Sequence, residues 1–164
     1  MTAGLPATMP TGNAVPPAVV ALHEAWRTAL PQPDADDGVQ VYLGREDNRP
    51  WSPRVLTVAV SFDEDIEAFS VERTEQGARP NVTEEITVAC SAYVGGEDVD
   101  VPAWREQMGR ILDVVDEVLR ADPGLRNKVA RARRGYTRWL DWIDEGEQAV
   151  GVILDFVVIV TVLS

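Results

Sequence analysis

His23 is the only histidine and Cys90 the only cysteine among the 164 residues, so neither has a partner of its own kind. A zinc-protease helix needs a second histidine four positions on, and His23-Glu-Ala-Trp-Arg27 places arginine there. His23 is therefore expected on a helix surface. Cys90 falls on the apolar side of an alternating stretch, where a thiol is buried and inert. A single cysteine forbids an intrachain disulfide and suits a reducing compartment. Asp34, Asp36 and Asp37 precede Gly38 and invite a calcium reading. An EF-hand loop needs an acid at its twelfth position, however, and the count from Asp34 reaches Arg45. Asp63, Glu64 and Asp65 offer carboxylates to a divalent ion, but a solvated turn between strands accounts for them more simply. Gly95-Gly96 lacks the Lys and Ser/Thr of a phosphate loop, and no serine stands in a Gly-x-Ser-x-Gly setting. With no catalytic constellation, the expectation is a protein that is not an enzyme and carries no cofactor or metal.

Charge points to association instead. The chain has 15 basic and 27 acidic residues, a formal net charge of −12, which disfavours generic binding to nucleic acid or anionic membranes. Six of the basic residues, Arg126, Lys128, Arg131, Arg133, Arg134 and Arg138, lie in one run without an acid, leaving nine basic and 27 acidic residues elsewhere, a remainder of −18. A body of one sign with a local patch of the other favours charge-complementary docking. Tyr136 and Trp139 interleave with the run, and Tyr, Trp and Arg are common at interface hot spots. The candidate subunit or partner interface is thus the basic run together with the acidic Asp63, Glu64 and Asp65.

The elements that must carry these residues follow from periodicity. Residues 1–17 hold Pro6, Pro10, Pro16 and Pro17 and read as a flexible arm, with no basic and apolar signal segment; 18–164 read as one domain. Val19, Leu22, Trp26 and Leu30 recur at helical spacing, and Pro31 and Pro33 end that helix. Short strands are expected over 39–43 and 55–62, the second with Leu56, Val58, Val60 and Phe62 on one face, and another over 66–74. Residues 82–94 alternate most clearly, with Val82, Ile86, Val88, Cys90, Ala92 and Val94 on one parity, broken only by Glu84. A long helix over 102–121 puts Trp104, Met108, Ile111, Leu112, Val115, Val118 and Leu119 on one stripe, with Asp100 as its cap and Asp122-Pro-Gly124 as its stop. After the basic segment, a strand is expected over 135–143, then a tight turn at 144–146. Residues 150–163 form a last strand, apolar on both parities, which must be central in the sheet or covered by a partner. It is too short for a spanning helix and contains Asp155 and Gly151.

The order of elements, with the strand TEEITVACSAYVGGED (83–98), the helix MGRILDVVDEVLRADPGL (108–125) and the closing strand VGVILDFVVIVTVL (150–163), resembles the tail terminator, or tail completion, proteins of long-tailed bacteriophages. The resemblance covers roughly residues 17–164 and rests on the pattern of elements; the basic segment 126–138 has no match in it. It implies an α+β fold, a mainly antiparallel sheet flanked by an N-terminal helix and a longer central helix. It also implies a hexameric ring at the head-proximal end of the tail tube, which ends tube polymerisation and joins the tail to the head connector. The expected partners are other copies of the chain, the tail tube protein and the connector or stopper protein, with DNA passing through the lumen unbound. The expected place is the neck of the virion, after assembly in the host cytoplasm. Other readings are a connector or stopper, a small enzyme using Asp63, Glu64 and Asp65 as metal ligands, and a monomeric binding module.

Overall fold

The computed structural model describes residues 15–44, 52–60, 69–76, 81–143 and 149–163. Two helices, α1 (Val15–Ala29) and α2 (Val101–Ala121), accompany six described strands: β1 (Gln40–Leu43), β2 (Arg54–Val58), β3 (Phe69–Gln76), β4 (Asn81–Gly95), β5 (Arg131–Ile143) and β6 (Ala149–Leu163). The class is α+β, and the sheet is mixed: β1 runs parallel to β2, while every other pairing is antiparallel. The strand order is β1-β2-β4-β6-β5, and β3 shares with β2 the edge of β4 that faces away from β6.

Alternation explains why β4 and β6 form the spine. Their even-numbered residues, from Ile86 to Val94 and from Val152 to Val160, are fully buried on the face that receives the helices. β6 is apolar on both parities because it lies between β4 and β5. The stripe of α2 packs as its spacing requires, with Trp104, Met108, Ile111, Leu112, Val115 and Leu119 all buried, and the Asp100 carboxylate accepts from the Ala103 amide at the helix start. Trp26 of α1 meets Phe156 edge-on, the ring centroids 6.0 Å apart, at the centre of the core.

Several boundaries differ from the sequence reading. Helix α1 starts at Val15 and so takes in Val15–Pro17, which the sequence assigns to the arm; residues 1–14 lie outside the described residues. Strand β2 stops at Val58, because Ala59 turns into the left-handed region (φ 62°); Leu56 and Val58 are buried as expected, and Phe62 lies outside the described residues. Strand β3 runs to Gln76 rather than Thr74. Strand β5 begins at Arg131, four residues before the expected start, so the later half of the basic run is strand. The turn at 144–146 lies outside the described residues.

His23 is a strut between layers rather than a bare surface group: its Nε2 donates to the Val41 carbonyl at 3.0 Å and ties α1 to β1. Arg54 plays the same part for the aspartate turn. Its guanidinium donates to the carbonyls of Gly38 (2.9 Å) and Asp36 (2.7 Å) and to Gln107 Oε1 of α2 (3.2 Å). Hydrogen bonds from a charged donor contribute about 1.5–3 kcal/mol, so Arg54→Ala is expected to lower stability by roughly 2 kcal/mol. Urea titration of both proteins measures it. A midpoint unchanged from the parent would mean that the turn holds itself.

Candidate assembly surface

The basic run does not form one patch; the chain distributes it over four places. Arg126 and Lys128 sit in the turn after α2, where Leu125, Arg126 and Asn127 adopt successive left-handed conformations (φ 47°, 56° and 62°). Such runs are rare for L-residues. Here the Asp122 carboxylate accepts from the Arg126 amide at 2.8 Å, the Lys128 amide donates to Gly124 O at 3.0 Å, and Leu125 is buried beneath. Arg126 and Lys128, with Arg27, rim a groove of about 660 Å³ between α1 and α2, lined on its apolar side by Val20, Ala21 and Val118.

Arg131 and Arg133 lie on β5 opposite Thr161 and Ile159 of β6, so both belong to the helix-free face of the sheet, and both are exposed. Neither makes an ion pair with a described residue. Arg134 points the other way. It is opposite Val158, on the helix face, and grips the Asp116 carboxylate of α2 through Nε (2.6 Å) and Nη2 (3.0 Å), with Nη1 on Thr137 Oγ1 at 2.5 Å. This two-pronged, partly buried pair holds α2 against the sheet edge. Arg134 is therefore a structural residue and not part of an open interface. The irregularity between Arg134 and Thr137 accommodates Gly135, where an added Cβ would press on Val157 and Ile159.

Arg138 belongs to a feature that the sequence reading missed. Tyr42, Thr57, Ser91, Asp155 and Arg138 stand in register across β1, β2, β4, β6 and β5, a polar row on the helix-free face. Thr57, Ser91 and Asp155 are buried. The Ser91 hydroxyl donates to Asp155 Oδ1, and Arg138 Nη2 lies 3.6 Å from Asp155 Oδ2. Ser91 is only 1% exposed, out of a substrate's reach, so the row works as a fastening. A one-residue slip of β6 would turn Asp155 into the apolar helix face, which fixes the register of the spine.

Asp63, Glu64 and Asp65 lie outside the described residues. Among the described residues no group of three His, Cys, Asp or Glu side chains is placed to hold a metal ion, and no helix is long and apolar enough to cross a membrane. Cys90 is fully buried, as its parity implies, and burial pushes its thiol from the ordinary 9.0 up to about 12. Below pH 9.0 the thiol is protonated in both folded and unfolded chains and has no effect on the balance. Above that, the unfolded chain loses the proton while the folded one keeps it, so stability falls as pH rises toward 12, by about 1.4 kcal/mol per unit. Cys90→Ala is expected to flatten that stretch of a melting-temperature profile against pH. An identical alkaline slope in parent and variant would contradict the buried thiol.

The opposite ends of the sheet are unlike. At the β1 end the Val39 amide donates to Pro31 O at 3.1 Å and the Val41 carbonyl accepts from His23, so the chain closes its own edge there. Exposed Asp34, Asp36 and Asp37 lie in the connection leading to that edge. At the other end β5 pairs with β6 alone among the described strands; the chain meets its outer edge at Ala132, whose amide donates to Pro123 O at 2.7 Å, and the strand carries exposed Arg131, Arg133 and Trp139, the last 46% exposed. No protein-family model matches the chain, and no curated protein matches it.

Proposed function

We propose that this chain is a structural assembly protein of a phage tail, closing into a homohexameric ring at the head-proximal end of the tail tube. The observation that carries the reading is the contrast between the two ends of the sheet. A head-to-tail ring requires two different surfaces on each subunit, related by a rotation that closes. The β5 end offers exposed arginines and a tryptophan, and the rest of the chain holds a large surplus of acids. The α+β order of elements, two helices on one face of a mainly antiparallel sheet, agrees with the tail terminator resemblance.

In this reading the ring ends tube growth and joins the tail tube protein on one side to the connector or stopper on the other. DNA passes through the lumen, and the acidic surplus keeps it from adhering. Screening confines that repulsion to about 8 Å at physiological salt, so the acids lining the channel are the ones that act. The protein contributes contacts and shape, without catalysis or cofactor. Mass measurement under native conditions, together with electron microscopy of the purified chain, tests the reading directly. Closed rings of six copies are expected, alone or on tube ends. A strict monomer that neither caps tubes nor changes their length would overturn it.

A further inference from the structure

Glu72 of β3 and Glu85 of β4 stand directly opposite each other, and both are exposed. Glu85 shares the odd parity of Ser91 on β4, so it and its cross-strand neighbour Glu72 lie on the helix-free face. Like charges set opposite one another destabilise a sheet. Neither glutamate makes an ion pair with a described residue, so no described cation relieves the opposition.

The register extends this pair into a row. Glu85 lies opposite Thr161 of β6, and Thr161 opposite Arg131 of β5. One level of the helix-free face thus runs Glu72, Glu85, Thr161, Arg131, with Arg133 two positions along β5 on the same face. At this level β3 is the outermost described strand on the acidic flank, and β5 is the outermost on the basic flank. Three strand spacings, about 14 Å, separate the flanks.

We propose that Glu72 and Glu85 of one copy of the chain are the surface that receives Arg131 and Arg133 of the next copy, flank to flank. The inference rests on the reading of the chain as a head-to-tail ring and names the acids that answer the β5 arginines. The register row carries it. Acidic and basic pairs stand at one level on opposite flanks of one sheet, so copies placed side by side in the same sense bring unlike charges together at every joint. A two-fold joint of β5 flank to β5 flank would set arginine against arginine. The charge pattern therefore selects the heterologous contact, the kind that closes a ring. The spacings agree: the two carboxylates spring from Cβ atoms about 5 Å apart, and the two arginines from positions about 7 Å apart along the strand. Strand addition plays no part, because the Pro123 carbonyl already takes the Ala132 amide at the outer edge of β5. Arg131 and Arg133 leave the strand on the helix-free face and stay exposed beside that contact.

Charge reversal on each flank tests the contact. Arg131→Glu with Arg133→Glu makes both flanks acidic, and Glu72→Lys with Glu85→Lys makes both basic. Each double variant alone should self-associate about tenfold or more weaker than the parent in sedimentation equilibrium. An equimolar mixture of the two should assemble again, with the variants alternating around the ring. Glu85→Gln guards against a folding artefact: it removes the like-charge opposition, so it should melt no lower than the parent and still associate more weakly. If the arginine reversal weakens assembly while the glutamate reversal does not, and the mixture fails to recover, the acidic surface is misassigned and the ring reading stands. Undiminished hexamers from both double variants would likewise overturn the contact and spare the ring. A parent chain that is strictly monomeric would overturn both.

Discussion

Ile111→Asp is expected to remove much of the chain's stability and to melt far below the parent, whereas Asp113→Ala should melt close to it. Ile111 is 3% exposed, on the α2 stripe that faces the sheet, while Asp113 projects from the same helix into solvent. The first change strands a carboxylate among apolar side chains with no partner and also removes buried methyl groups. Together these cost roughly 4–5 kcal/mol or more, against a total stability of about 5–15 kcal/mol for a domain of this kind. Loss of the near-ultraviolet dichroism of the buried tryptophans, Trp26 and Trp104, measures the effect. Equal melting temperatures for the two variants would remove the stripe from the core.

The second large effect is functional. On the proposed tail-capping function, particles assembled with Arg131→Glu and Arg133→Glu are expected to carry overlong tails and to leave many tails unjoined to heads. Both residues are exposed, so the change should leave the melting temperature within about 0.5 kcal/mol of the parent in stability terms. Arg134 is left intact, because Arg134→Glu would set a carboxylate against Asp116 and damage the fold, blurring the result. Two reversed charges on one rim turn attraction to an acidic neighbour into repulsion. Added salt screens that repulsion, so the defect should lessen as ionic strength rises. Tail lengths in electron micrographs are the measurement. Normal tails on normal heads would exclude the arginines of β5 from the mechanism.

Much of the fold was legible because burial imposes a period. Strand β4 alternates strictly enough to show one buried face, β6 shows itself as a central strand by being apolar on both parities, and α2 shows a stripe bounded by Asp100 and Asp122. Where one face of an element meets solvent at a sheet edge, the signal fades. The start of β5 reads Arg-Ala-Arg-Arg, and only Ala132 is buried there, so composition suggested a charged segment rather than a strand. The end of β2 depends on a left-handed alanine at Ala59, and nothing in the residue type announces that conformation. The candidate surface was legible as charge but not as geometry. Spacing put six cations in one run, and the structure sends Arg126 and Lys128 to the groove between the helices, Arg134 to α2, Arg138 toward Asp155, and only Arg131 and Arg133 to the β5 edge. Asp155 was visible as an interruption in an apolar strand. Its partnership with Ser91 and Arg138 needed the strand register, which follows from pairings between distant parts of the chain.

Those distant pairings govern how the chain reaches its native state. The spine joins Gly95 to Gly151 and Thr83 to Leu163, with all of α2 and β5 between the partners, so loop closure must come before most of the stabilising contacts. A high-contact-order topology of this kind folds slowly, and its edge strand stays accessible to other unfinished chains in the meantime. Arginines at Arg131 and Arg133 make that edge repel its own kind while it waits, which discourages indiscriminate strand pairing. In the proposed ring the same two side chains would serve first as gatekeepers against aggregation and later as contacts by which finished subunits select each other. Neutral residues at those positions should lower the yield of refolded protein at high concentration even where the finished fold is as stable as the parent's.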